Sequence, residues 1–176
     1  ITKIVINEGI TGTSGVAKIL GDLPKLKEVV IPDGFTTLST GCFANTALTD
    51  VTLGENVTSM DSVSFSGCMS LKRLVVKNRN LNVNEQGPWC SDPDKNPLAR
   101  IPGNLTVYGY RYTDDKNTTE TKLYKFIQYN NTTLGANIKF VDLGDENNGN
   151  LEGSEIYWNY NEGVLTLTGK GKVEST

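Results

Sequence analysis

The chain holds 176 residues, 17 of them basic and 20 acidic, with three cysteines and no histidine. That length suits one domain, or one domain plus a fragment, and a unit of this size buries roughly 68–70% of its unfolded surface without needing staples. Near-balanced charge gives no footprint for a nucleic acid or an anionic membrane, and no apolar run reaches the ~18 residues that would span a bilayer. Without histidine, Ser-His-Asp triads, Cys-His dyads and histidine-based metal sites are all removed.

The chain opens on Ile1-Thr2-Lys3-Ile4-Val5-Ile6, a strand with no basic leader or cleavage site, so the expectation is a piece of something longer. The same pattern returns as Leu26-x-x-Val29-x-Ile31, Leu48-x-x-Val51-x-Leu53 and Leu71-x-x-Leu74-x-Val76, at intervals of 25, 22 and 23 residues. Those intervals fall in the range of leucine-rich repeats. A second apolar set follows each row: Phe35 and Leu38 correspond to Val57 and Met60, and then Phe43 to Phe65. Gly9, Gly34 and Gly54 end the strands, with Pro32 stopping one ladder. A six-residue strand with one apolar face cannot bury it alone, whereas stacked copies put like on like in a shared core with a parallel ladder. Period-2 alternation turns Val29 and Ile31 inward and Val30 outward. The short segment carrying each Phe is expected as a brief strand or turn followed by a 3₁₀ or single-turn helix.

Register is lost after Val76. Asn84–Asn104, dense in Pro, Gly and Asp, is expected as an irregular insertion, with Trp89 either plugging the edge of the array or gripping a ligand. Residues 105–143 then restart a strand at Leu105, Val107 and Tyr108. A capping box from Asn117 to Glu120 leads into a helical stripe of Leu123, Phe126 and Ile127, and Ile138, Phe140 and Val141 give a last strand. Such a unit closes the open end of a repeat array. Residues 144–153 have the composition of a linker. Residues 154–176 give a hairpin around Asn161-Glu162-Gly163, with Trp158, Leu165 and Leu167 as core candidates. The fold class is therefore a mainly β leucine-rich-repeat solenoid over 1–83, followed by a helix-containing C-terminal cap and an extra β-hairpin.

The turn "LTDVTLGENVTSMDSVSFSGCMS", together with Pro32, Val57, Met60, Phe65 and Cys68, resembles the BspA-type leucine-rich repeat. Its pattern runs Leu-x-x-Val-x-Ile-Pro, Val-x-x-Ile, Ala-Phe-x-x-Cys. The resemblance covers residues 1–143, where Tyr108-Gly109 and Ile138-Lys139-Phe140 are similar to the family's closing unit. It implies surface-exposed proteins of bacteria and some protists, and it makes Cys68 a core residue, whereas Cys42, directly before Phe43, has no equivalent place. The terminal hairpin resembles the opening of a further module. That implies a tandem parent, with the hairpin pairing to the N-terminal edge of its own or a neighbouring chain. Cys42, Cys68 and Cys90 are expected either as buried thiols or as one bridge plus a leftover thiol.

Candidate chemistry is sparse. Asp92-x-Asp94-x-Asn96 starts like a calcium loop, but Pro97 stands where glycine is needed and no glutamate follows, so no metal and no cofactor is expected. Glu28 and Asp50 occupy equivalent positions of adjacent rows, yet with Lys3 and Arg73 in the same column they form a mixed-sign surface rather than a catalytic dyad. What remains is an outward strip: Lys3, Val5, Glu28, Val30, Asp50, Thr52, Arg73 and Val75, with Trp89 beside it. Extended sheet faces of repeat proteins bind partners, so the expectation is a non-enzymatic adhesion module at the cell surface or outside the cell. It would recognise protein or glycan on host, matrix or other cells, the alternative being a structural spacer in a larger surface protein.

Overall fold

The structure, a computed structural model, describes residues 1–12, 20–83, 92, 96–101, 103–114, 119–144, 148–150, 155–161 and 164–170. The four rows found in the sequence are strands β1 (Lys3–Val5), β2 (Glu28–Val30), β4 (Asp50–Leu53) and β6 (Arg73–Val76). Between them lie β3 (Thr37–Leu38) and β5 (Ser59–Met60), one per coil. β1 pairs with β2, and β4 with β6, in parallel and at the register the sequence rows give: Lys3 beside Glu28, Asp50 beside Arg73. A second parallel ladder joins β3 to β5 and is extended by single bridges from Gly12 to Thr37 and from Ser59 to Asn82.

The shared interior follows. Leu26, Phe35, Leu38, Phe43, Leu48, Val51, Leu53, Val57, Met60, Phe65, Leu71, Leu74 and Val76 are buried in one cluster, with Ile4, Ile6, Val29 and Ile31 packed against it. Phe43 and Phe65 stack with ring centroids 5.7 Å apart, a geometry that adds to the burial of the rings. The segments carrying them are hydrogen-bonded turns rather than helical turns. Each donates upward to the next coil: Phe43 N to Ser64 O, Phe65 N to Pro97 O, Asn45 N to Ser66 O and Gly67 N to Ala99 O.

Those last partners correct the sequence reading of 84–104. Residues 96–101 are not irregular, because they continue the column of turns. Leu98 is buried in the core, and Asp22, Asn45, Gly67 and Arg100 all take the left-handed conformation at the turn's end. Asn96 makes this possible without sequence periodicity. Its side chain accepts from Leu98 N and donates to Asn130 Oδ1, both at 2.8 Å. At Gly67 the backbone has φ +73° and an added Cβ would meet the Asn45 side chain, so glycine lets the two turns stack without displacing it.

The expected single ladder is also interrupted. β2 and β4 lie side by side but belong to separate sheets. The break falls between Glu28 and Asp50, where opposed like charges disfavour pairing.

Beyond β6 the second sheet runs on through β7 (Thr106–Gly109) and β8 (Lys139–Asp142), all parallel, in the order β4-β6-β7-β8. Between β7 and β8 the chain forms helix α1 (Lys122–Thr133), whose Leu123, Phe126 and Ile127 enter the same core. Gly109 lets the helix approach, since a Cβ there would stand 2.8 Å from Leu123 Cδ2. The helix starts later than the capping-box pattern predicts. Thr121 is the N-cap and accepts from Tyr124 N at 3.1 Å, because Glu120 is drawn to Arg111 instead; Asn117 lies outside the described residues.

The C-terminal part is a three-stranded antiparallel sheet, not a two-stranded hairpin. β10 (Glu155–Asn161) pairs with β11 (Val164–Lys170) on one side and with β9 (Asn148–Asn150) on the other. β9 falls in the stretch expected as linker, since an open strand edge recruits backbone whatever its side chains. Leu165 and Leu167 are exposed rather than core. Thr168, on the opposite face of β11, meets the Tyr108 hydroxyl at 3.1 Å, so alternation turns both leucines outward. Trp158 is half-buried. This sheet does not pair with its own chain's N-terminal edge, because β1 pairs only with β2 among the described strands.

Candidate functional site

The outward strip exists as a register but is divided in two by exposure. In its first half, Val5 and Val30 are ladder partners, 55% and 41% exposed. Beside them Lys3 Nζ lies 2.8 Å from Glu28 Oε1, with both side chains half exposed. A pair so open to water contributes at most about 1 kcal/mol and weakens in salt. Asp50 and Thr52 are intermediate. The resulting surface is a short flat patch of β-branched groups flanked by a plus-minus pair.

The second half is covered, which corrects two candidates. Val75 has no solvent exposure and Arg73 only 9%. Val75 packs with Tyr108, Val141 and Leu143 in a second apolar cluster on the outer face, and the Tyr108 contact with Thr168 draws the C-terminal sheet against that face. Arg73 lies 4.0 Å from Asp50 and 5.5 Å from the centre of the Tyr108 ring. Both side chains therefore serve packing. Trp89 lies outside the described residues.

Cys42 and Cys68 are buried thiols, as one of the two sequence alternatives had it; Cys90 is outside the described residues. Burial pushes the Cys68 thiol above its ordinary pKa, partly opposed by its hydrogen bond with Thr46. Cys68 Sγ also donates to Phe43 O at 3.0 Å, tying neighbouring coils together. Since the thiolate is the reactive form, neither thiol should label with iodoacetamide at pH 7.5 in native protein, and both should label in 6 M guanidinium. Peptide mapping checks this, and native labelling of Cys68 would contradict its burial.

Of the calcium-like stretch only Asp92 and Asn96 are among the described residues. Asn96 is buried and committed to Leu98 and Asn130, and Asp94 lies outside the described residues. Among the described residues no group of three or more cysteine, aspartate or glutamate side chains converges.

Sequence reasoning missed a hollow between the loop after β6 and the first turns of α1, lined by Arg79, Leu81, Thr113, Thr119, Lys122 and Lys125 among others. Beside it Arg111 bonds Glu120 at 3.2 and 3.3 Å and lies over the rings of Tyr112 and Tyr124. The bond to Glu120 raises the Arg111 pKa further. The alternation in "VYGYRYT" was the available signal.

Residues 16–90 match the family model described as the BspA type Leucine rich repeat region, in six copies. No curated protein and no solved structure matches the chain. Parallel strands at the repeat interval, the stacked phenylalanines and the Cys68 core position all fall within or beside that segment. The coils of residues 16–90 are thus a BspA-type leucine-rich repeat region.

Proposed function

We propose that this chain is a non-catalytic binding module of a secreted or cell-surface bacterial protein, recognising a protein or glycan partner through the open half of the strip. In this reading the solenoid of 1–83, continued by the turn at 96–101, displays the surface. The unit 105–143 caps the array, and the C-terminal sheet opens a following module. The observation that carries the reading is the exposure of Val5 and Val30 side by side on a rigid ladder, where a solvated strand face would more readily carry polar groups. Leucine-rich repeats of this type are generally surface modules without catalytic residues, and the flat, mixed-sign patch fits docking rather than chemistry.

The test is immobilised chain against a panel of matrix proteins and glycans. Specific capture by one of them, lost in Val30→Asp, supports adhesion through this patch. Capture unaffected by Val30→Asp but lost in Trp89→Ala moves the contact to the insertion. Silence across the panel favours the spacer role.

A further inference from the structure

We infer that the outer edge of β11 pairs antiparallel with β11 of a second copy of this chain, about a two-fold axis at Leu167. The C-terminal sheet has two edges, and they are built differently. At one, β9 is only Asn148-Gly149-Asn150, short and polar as protected edges are. At the other, β11 runs for seven residues and is paired on one side only among the described strands. It lacks the devices that blunt an edge. Val164–Gly169 holds no charge and no proline, and its pairing to β10 is one-to-one without a bulge. Leu165 and Leu167, two residues apart on one face of this strand, are both exposed.

The order of residues along β11 suits a copy of itself. A two-fold axis sets the same surface against itself, so a charged edge repels its own copy whereas this one does not. With the axis at Leu167, Leu167 faces Leu167, Leu165 faces Gly169 and Thr166 faces Thr168. Large meets small where Leu165 needs room, and leucines and threonines stay on opposite faces, as the period of two requires. Trp158 is the partner of Leu167 on β10 and is half-buried. The joined sheet therefore carries a row of Trp158, Leu167, Leu167 and Trp158 across four strands, a kind of cross-strand neighbour that stabilises sheets. A seven-residue strand is about 24 Å long and a sheet layer about 10 Å thick, so the contact covers roughly 500 Å² counting both copies. That is under the ~1,200 Å² of standard stable interfaces, and the dimer is transient, with a dissociation constant on the order of 100 µM. Val5 and Val30 lie on other strands, so each copy keeps its own patch and the pairing stands apart from the adhesion reading.

Sedimentation velocity of the full chain from about 10 µM to about 1 mM tests this. A monomer at the low end and a dimer at the high end are expected, with nothing larger, because an isologous contact closes on itself. Leu167→Lys should weaken dimerisation about tenfold or more by setting two ammonium groups face to face on the axis. Its circular dichroism should match the parent, since Leu167 is exposed. Val30→Lys should dimerise like the parent. Amide hydrogen exchange gives a readout that needs no substitution: alternate amides of Val164–Gly169 should slow as the parent chain is concentrated, while those of β9 stay unchanged. A monomer across the whole range, assembly beyond the dimer, a dimer kept in Leu167→Lys but lost in Val30→Lys, or β11 exchange independent of concentration would overturn the pairing. Slow β11 exchange already present in the monomer would give the edge to another segment of the same chain and would overturn it too. None of these results bears on capture by the panel, so the adhesion reading stands or falls separately.

Discussion

Replacing Phe65 by alanine is expected to lower stability by about 3–5 kcal/mol, the range for removing a fully buried aromatic. In a chain of this size that corresponds to roughly 6–20 °C in unfolding temperature. Phe65 has no solvent exposure and stacks on Phe43. Its backbone N–H also anchors the turn above through Pro97 O at 2.9 Å. The cavity would open in the middle of the stack, where coils above and below are fixed by their own ladders and cannot collapse inward. Substitution by leucine should recover part of the loss. Thermal and urea unfolding followed by circular dichroism measure it. A loss under 1 kcal/mol for Phe65→Ala would mean that the stacked phenylalanines are not the centre of the fold.

The second expectation separates two valines that occupy the same column. Val75→Asn should cost about 3–4 kcal/mol, combining lost valine burial with a buried amide that finds no ready partner. Val30→Asn should cost well under 1 kcal/mol, within the span of strand propensities at open positions. Both side chains point outward from equivalent strands, but Val30 is 41% exposed and Val75 is not exposed at all. The difference comes from the cluster of Val75, Tyr108 and Val141 and from the Tyr108–Thr168 contact. An asparagine is chosen rather than an aspartate so that nearby Arg73 cannot offset the result by pairing with a new charge. Equal tolerance at the two positions would show that the outer face of β6 is open to water.

The comparison of these valines also shows how far the sequence reached. A repeat interval and an alternation of apolar residues are local quantities, and they suffice to place Val29 and Ile31 toward the core, to register Lys3 on Glu28 and Asp50 on Arg73, and to mark Leu123, Phe126 and Ile127 as the buried face of a helix. Alternation gives the side of the sheet on which a residue lies. Whether that side is wet depends on segments far away in the chain, and so Arg73 and Val75 could not be told from Lys3 and Val5. The open pair Val5 and Val30 was legible; the hollow of Arg79, Lys122 and Lys125 was not, because its walls come from three separated segments with no shared motif.

The sequence by itself determined the coil, its interval and its interior column, because each repeated apolar residue needs its counterpart in the next turn and states that need in the same letters. Only the tertiary structure decided where the column of turns continues, since the turn at 96–101 joins through Asn96 and backbone carbonyls rather than through repeated side chains. Only it decided which half of the outer strip remains open to solvent, since the packing of Tyr108, Val141 and Leu143 on Val75 is a long-range event that leaves no trace in local periodicity.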